Sequence, residues 1–117
     1  MIRKSTLACL AALSFAAPTL TAGAQTAAEW VSKGNVAYEA RNATEALADY
    51  EQALAVDPND YDALWRASRS RVDLAGAETK SDQRSAMYKT AQAEAAHAVQ
   101  VNPGAADGHF VLAEALG

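Results

Sequence analysis

The chain has 117 residues, 50% of them hydrophobic, and sets 10 Lys or Arg against 14 Asp or Glu for a formal charge of −4. That acidic balance argues against nucleic acid or an anionic membrane surface as the main partner, and the length allows one small domain with a modest core. The single cysteine, Cys9, lies near the N-terminus, so the remainder of the chain holds no disulfide and no thiolate-bound metal.

Residues 1–24 read as a secretory signal peptide. Arg3 and Lys4 give a short positive start, Leu7 to Leu20 is an apolar stretch, and Ala22-Gly23-Ala24 before Gln25 is an A-x-A cleavage site. The stretch is too short for a comfortable bilayer span, which takes about 20 apolar residues, so no stable membrane span is expected. Cleavage would remove two positive charges and no negative ones, leaving 93 residues with a formal charge of −6 in a periplasmic or secreted protein.

From Thr26 to Arg41 the residues Trp30, Val31, Gly34, Ala37 and Tyr38 recur at the spacing of one helical face. Asn42, with Glu45 three residues on, signals the cap of a second helix through Ala46, Leu47, Tyr50, Ala53, Leu54 and Val56, and Pro58 ends it. Asn59 or Asp60 can cap a third helix to about Ala75, with Leu64, Ala67, Ser68, Val72 and Leu74 or Ala75 inward and Gly76 as its C-cap. Thr79 or Ser81 can start a long fourth helix through Tyr88, Ala91, Ala95, Ala98, Val99 and Val101, which Asn102-Pro103-Gly104 closes. Ala105 to Leu116 reads as a fifth helix, and no period-two alternation suggests a strand.

Two internal patterns organise these helices. Ala53-Leu54-Ala55-Val56-Asp57-Pro58 is echoed 45 residues later by Ala98-Val99-Gln100-Val101-Asn102-Pro103, and Asp62 and Trp65 are echoed by Asp107 and Phe110. Trp30, Gly34, Ala46, Tyr50, Ala53 and Pro58 also fall in the register W-x2-L-G-x2-Y, A-x3-F, P, with Lys33 in the Leu position and the aromatic one place late at Tyr38. The chain thereby resembles the tetratricopeptide repeat (TPR) proteins. That resemblance implies an all-α, TPR-like helix-turn-helix solenoid of about five helices: repeat 1 over 27–60, an enlarged repeat 2 over 61–105 and an incomplete repeat 3 over 106–117. The second repeat is 11 residues over the 34-residue norm, an excess expected in the turn around Gly76 to Lys80 and in a lengthened fourth helix. The stretch Asp60 to Gly117 also resembles the TPR-like domain of the regulator of microtubule dynamics family, through Leu64-Trp65-Arg66-Ala67, the enlargement and Gly108-His109-Phe110. Members of that family run on past this point, which favours a fragment, and an exported chain fits poorly with a tubulin partner.

The TPR resemblance implies a protein-protein interaction module whose partner is a protein or peptide, docked on the surface lined by the first helix of each repeat. Carried over by register, that surface takes Asn35 and Tyr38, then Trp65, Arg66, Arg69 and Val72, then Phe110 and Glu114. Trp and Arg suit such a role because they join large contact area to directional donors. The plainer alternative makes Trp65 core and pairs Arg66, Arg69 and Arg71 with Asp62 and Asp73 on a solvated face. Phe110, Val111, Leu112 and Leu116 need a cover, which suggests either a fragment of a longer chain or a homo-oligomer through the C-terminal helix.

Chemistry is poorly represented. His97 and His109 lie on different helices with no H-E-x-x-H spacing, so no metal and no cofactor are expected. Ser32, Ser68, Ser70, Ser81 and Ser85 sit in no G-x-S-x-G turn, and Glu39, Glu45, Asp49 and Glu51 read as outward-facing. An enzyme, a hydrolase in particular, is the least favoured reading.

Overall fold

The computed structural model describes residues 24–117 and shows five helices, with no strand among them: α1 (Ala27–Glu39), α2 (Ala43–Val56), α3 (Tyr61–Ala77), α4 (Ser81–Val101) and α5 (Ala106–Leu116). The segment read as a signal peptide lies outside the described residues except for Ala24. Among the described residues no helix is long and apolar enough to cross a membrane.

Local chemistry sets most of the helix ends. Thr26 opens α1 with a capping box, its hydroxyl accepting from the Glu29 amide at 3.1 Å while the Glu29 carboxylate accepts from the Thr26 amide at 2.8 Å. The Thr26 backbone amide, and after it the Thr26 side chain, holds the Glu29 carboxyl below its ordinary range. Asn42 caps α2 by accepting from the Glu45 amide, and Asp60 rather than Asn59 caps α3 by accepting from the Ala63 amide. The α1–α2 turn is a Schellman motif in which Arg41 donates to the Tyr38 carbonyl and Asn42 to the Ala37 carbonyl. Arg41 takes the left-handed conformation there, with φ 65°, at a position where glycine is the usual residue.

Two expectations are corrected at the α3–α4 turn. Gly76 does not cap α3: the helix runs through it to Ala77, and Glu78 is the C-cap in extended geometry. The 11-residue enlargement is also not in the turn, since residues 40–42 join α1 to α2 and an equal three, 78–80, join α3 to α4. It lies wholly in the helices: α3 has 17 residues against 13 in α1, and α4 has 21 against 14 in α2. Insertions of four and seven residues return a helix to the same face, so the apolar stripes keep their orientation despite the added length. α4 starts at Ser81, one of the two expected starts, and its N-cap Lys80 makes no side-chain cap bond.

Close approach between helices rests on small residues. Gly34 of α1 faces the ring of Tyr50, which is fully buried among Ala37, Ala46, Ala53, Ala63 and Ala67. A second cluster joins Leu64 and Trp65 of α3 to Ala95 and Ala98 of α4 and Val111 of α5. Tyr88 is not part of either cluster; it lines an open cavity between α4 and the end of α5. Asp49, expected on an outward face, is buried at 8% exposure, because its turn of α2 lies against neighbouring helices together with Tyr50.

The order of contacts gives the stack its sense of curvature. Each helix packs on the next, and in addition α3 touches both α1 and α5, whereas no Cα of α2 comes within 8 Å of one in α4. The odd-numbered helices therefore crowd together on the inner side of the array, and the even-numbered helices splay apart on the outer side. Arg71 spans that outer gap, with its Nε and Nη2 donating to Glu94 of α4 at 2.9 Å and Nη2 to Glu51 of α2 at 3.0 Å.

Candidate functional site

The inner side, built from α1, α3 and α5, gathers most of the residues singled out in the sequence. Asn35 and Tyr38 stand one turn apart on α1, and Trp65, Arg66 and Arg69 occupy the facing stretch of α3. Asn35 is the hub of the polar part: its Oδ1 accepts from the buried Tyr50 hydroxyl at 2.7 Å and from Arg66 Nη1 at 3.1 Å. Tyr38 donates to Asp73 at 2.7 Å, which fixes its ring across α1 and α3.

The two arginines are stacked on aromatic faces. Arg66 Cζ lies 4.3 Å from the Trp65 ring centre, and Arg69 Cζ lies 3.6 Å from the Tyr38 ring centre and 5.0 Å from that of Trp65. Trp65 is 9% exposed, belongs to the second core cluster and donates from Nε1 to Asp62 at 3.3 Å. It is thus a core residue whose ring is also a platform for the arginines. Arg66 approaches Asp62 at 3.7 Å, while Asp73, one of the suggested arginine partners, is instead bound by Tyr38 and Arg71 by Glu94 and Glu51.

Electrostatics follow this geometry. Burial raises the Tyr50 phenol above its ordinary value, an effect opposed by the positive charges of Arg69 and Arg66. Burial also raises Tyr38, reinforced by its bond to Asp73 and opposed by Arg69, with Glu114 of α5 adding a further upward push. Glu114 is therefore the α5 charge that reaches the cluster. Phe110 is 64% exposed and belongs to neither core cluster, and Val72 is half-buried.

Sequence reasoning missed two members of this site, Tyr50 and Asp73. Their partners Asn35 and Tyr38 are 15 and 35 residues away, and a pattern of local periodicity carries no signal for such pairings. The histidines serve the frame: His97 Nε2 meets Asn59 Oδ1 at 2.8 Å and His109 Nε2 meets the Pro103 carbonyl at 2.8 Å. Among the described residues no three His, Cys, Asp or Glu side chains are grouped so as to hold a metal ion.

A search of curated proteins finds no match to this chain. The family model described as Regulator of microtubule dynamics protein 1-3 matches residues 26–117, all five helices, and so extends the resemblance well upstream of Asp60. With its all-helical fold and this match over most of its length, the chain belongs to the regulator of microtubule dynamics family.

Proposed function

We propose that this chain is an exported docking module that holds a segment of another protein on its inner face and carries no chemistry of its own. The observation behind this reading is the cluster of Asn35, Tyr38, Trp65, Arg66 and Arg69 on the crowded side of α1 and α3, where aromatic area and directional donors are already fixed in place. Full-length protein with Tyr38→Ala or Asn35→Ala, checked for retained helicity, is to be compared with the unaltered chain in pull-downs from envelope extract. Loss of the same bound proteins in both variants supports the reading; an unchanged set overturns it. Export has its own test, since N-terminal sequencing of protein recovered outside the cytoplasm should begin at Gln25, and an intact Met1 would refute export.

One observation favours a second reading, in which α5 is a self-assembly surface. Phe110 and Leu116 are 64% and 66% exposed on that helix, an unusual pair of large apolar side chains to leave facing solvent. Sedimentation of unaltered and Phe110→Ser/Leu116→Ser protein over a range of concentrations decides it, with association only in the unaltered chain as the expected result.

A further inference from the structure

Val36 of α1, at 71%, is the most exposed large apolar side chain among the described residues, and with Phe110 and Leu116 of α5 it stands on the two outermost helices of the stack. No Cα of α1 comes within 8 Å of one in α5, so these faces do not cover each other within one copy. They differ in relief. On α1, Ala28, Ser32 and Val36 are exposed and four residues apart, and Glu29 and Lys33 form the next such row. A shallow cleft runs between the two rows, with Gln25 at its N-terminal end. On α5, Asp107, Phe110, Ala113 and Leu116 are exposed and three residues apart, and the large Phe110 and Leu116 make that row a ridge. A ridge of three-residue spacing seats in a groove of four-residue spacing with the helices inclined by about 20°. The lengths agree, at about 13.5 Å from Asp107 to Leu116 and about 12 Å from Ala28 to Val36.

Charge gives the contact a direction. Lys33 is the cation of the cleft, with its Nζ 4.6 Å from the centre of the Trp30 ring, while the Glu29 carboxylate beside it accepts from the Thr26 amide. Neither Lys33 nor Asp107 is in an ion pair among the described residues. Laid antiparallel to α1, the ridge brings Asp107 to Lys33 and Leu116 to the Ala28 end, with Phe110 between Ser32 and Val36. Antiparallel pairing of α5 with its own counterpart instead sets Asp107 and Glu114 against the same two acids of the second copy, since both stand on one flank of Phe110. Deepening the self-assembly reading given above, we infer that α5 of one copy docks antiparallel in the α1 cleft of the next, head to tail. This contact joins two different surfaces, so each copy added presents a fresh cleft or ridge to another.

The test uses Val36→Asp and Phe110→Asp in the full chain, both at exposed positions and both checked for helicity by circular dichroism. Sedimentation velocity is expected to show oligomers that grow with concentration for the unaltered chain and monomer for either variant alone. An equal mixture of the two variants should form a 1:1 complex that grows no further, because the intact ridge of the Val36→Asp protein still fits the intact cleft of the Phe110→Asp protein. Lys33→Glu should weaken association about two- to five-fold, and Asp107→Lys in the same chain should recover it. Val36→Asp protein that associates as readily as the unaltered chain overturns this inference and leaves self-assembly through α5 standing, as does a mixture that stays monomeric. A Lys33→Glu defect that Asp107→Lys does not relieve overturns the antiparallel register. An unaltered chain that is monomeric at every concentration, or Phe110→Asp protein that associates undiminished, removes both.

Discussion

At Gly34 two effects of opposite sign compete. An added methyl raises helix propensity by about 1 kcal/mol, but its Cβ would stand 2.7 Å from Tyr50 Cδ1 and 2.9 Å from Tyr50 Cζ, on a ring with no exposed surface and no room to retreat. Gly34→Ala is therefore expected to destabilise by about 1–2 kcal/mol net in urea unfolding. Gly76→Ala, on a helical residue with nothing within 4 Å of the new methyl, should instead stabilise by about 0.5–1 kcal/mol. Trp65→Ala removes the largest member of the second core cluster and should cost about 3–5 kcal/mol whether or not a partner is present. The buried Tyr50 phenol adds a pH dependence. Its folded pKa lies above the ordinary 10.0, so the stability it contributes is complete below pH 10.0 and is lost as pH rises through the folded value. Melts in alkaline buffer should show that decline, reduced in Tyr50→Phe and smaller still in Tyr38→Phe/Tyr50→Phe, since Tyr38 is raised too; an unaltered slope in the double variant would refute the assignment.

Between elements, the feature that most needs its side chains is the gap between α2 and α4. Arg71 is 15% exposed and Glu94 14%, so removing the arginine leaves a carboxylate largely out of water with no cation to offset it. Arg71→Ala is expected to cost about 3 kcal/mol in denaturant unfolding, and Arg71→Lys to recover only part of it because one ammonium cannot replace the two-pronged contact with Glu94. The sequence announced these helices well wherever the deciding bond is local: the Asn42 and Asp60 caps involve amides three residues away. It misled at Gly76, because a glycine near a helix end becomes a cap only if the chain turns left-handed there, and α3 continues helical instead. Asp49 was misread for a related reason, since periodicity defines a stripe on α2 but not how far the neighbouring helices wrap around it.

For the molecule as a whole, Asn35, Tyr38, Trp65, Arg66 and Arg69, which the TPR resemblance put on one face together with Phe110, lie close in space without Phe110, because residues one turn apart on α1 and on α3 needed only the adjacency of the two helices to meet. The partnerships of Tyr50 and Asp73 depend on the three-dimensional stack and were not legible. The extra length of α3 and α4 has a dynamic consequence. Four and seven added residues lengthen the two helices by about 6 and 10 Å, and from Gly76 to Thr90 not one residue is buried. The pair thus ends in a hairpin tip with no core of its own, able to melt and reform while the clusters around Tyr50 and Trp65 stay intact. Amide protons of Ser85 to Thr90 should exchange with solvent far faster than those of Ala95 to Val101, and only the latter should respond to a core lesion such as Gly34→Ala. Uniform protection along α4 would show that the tip opens only when the whole domain does.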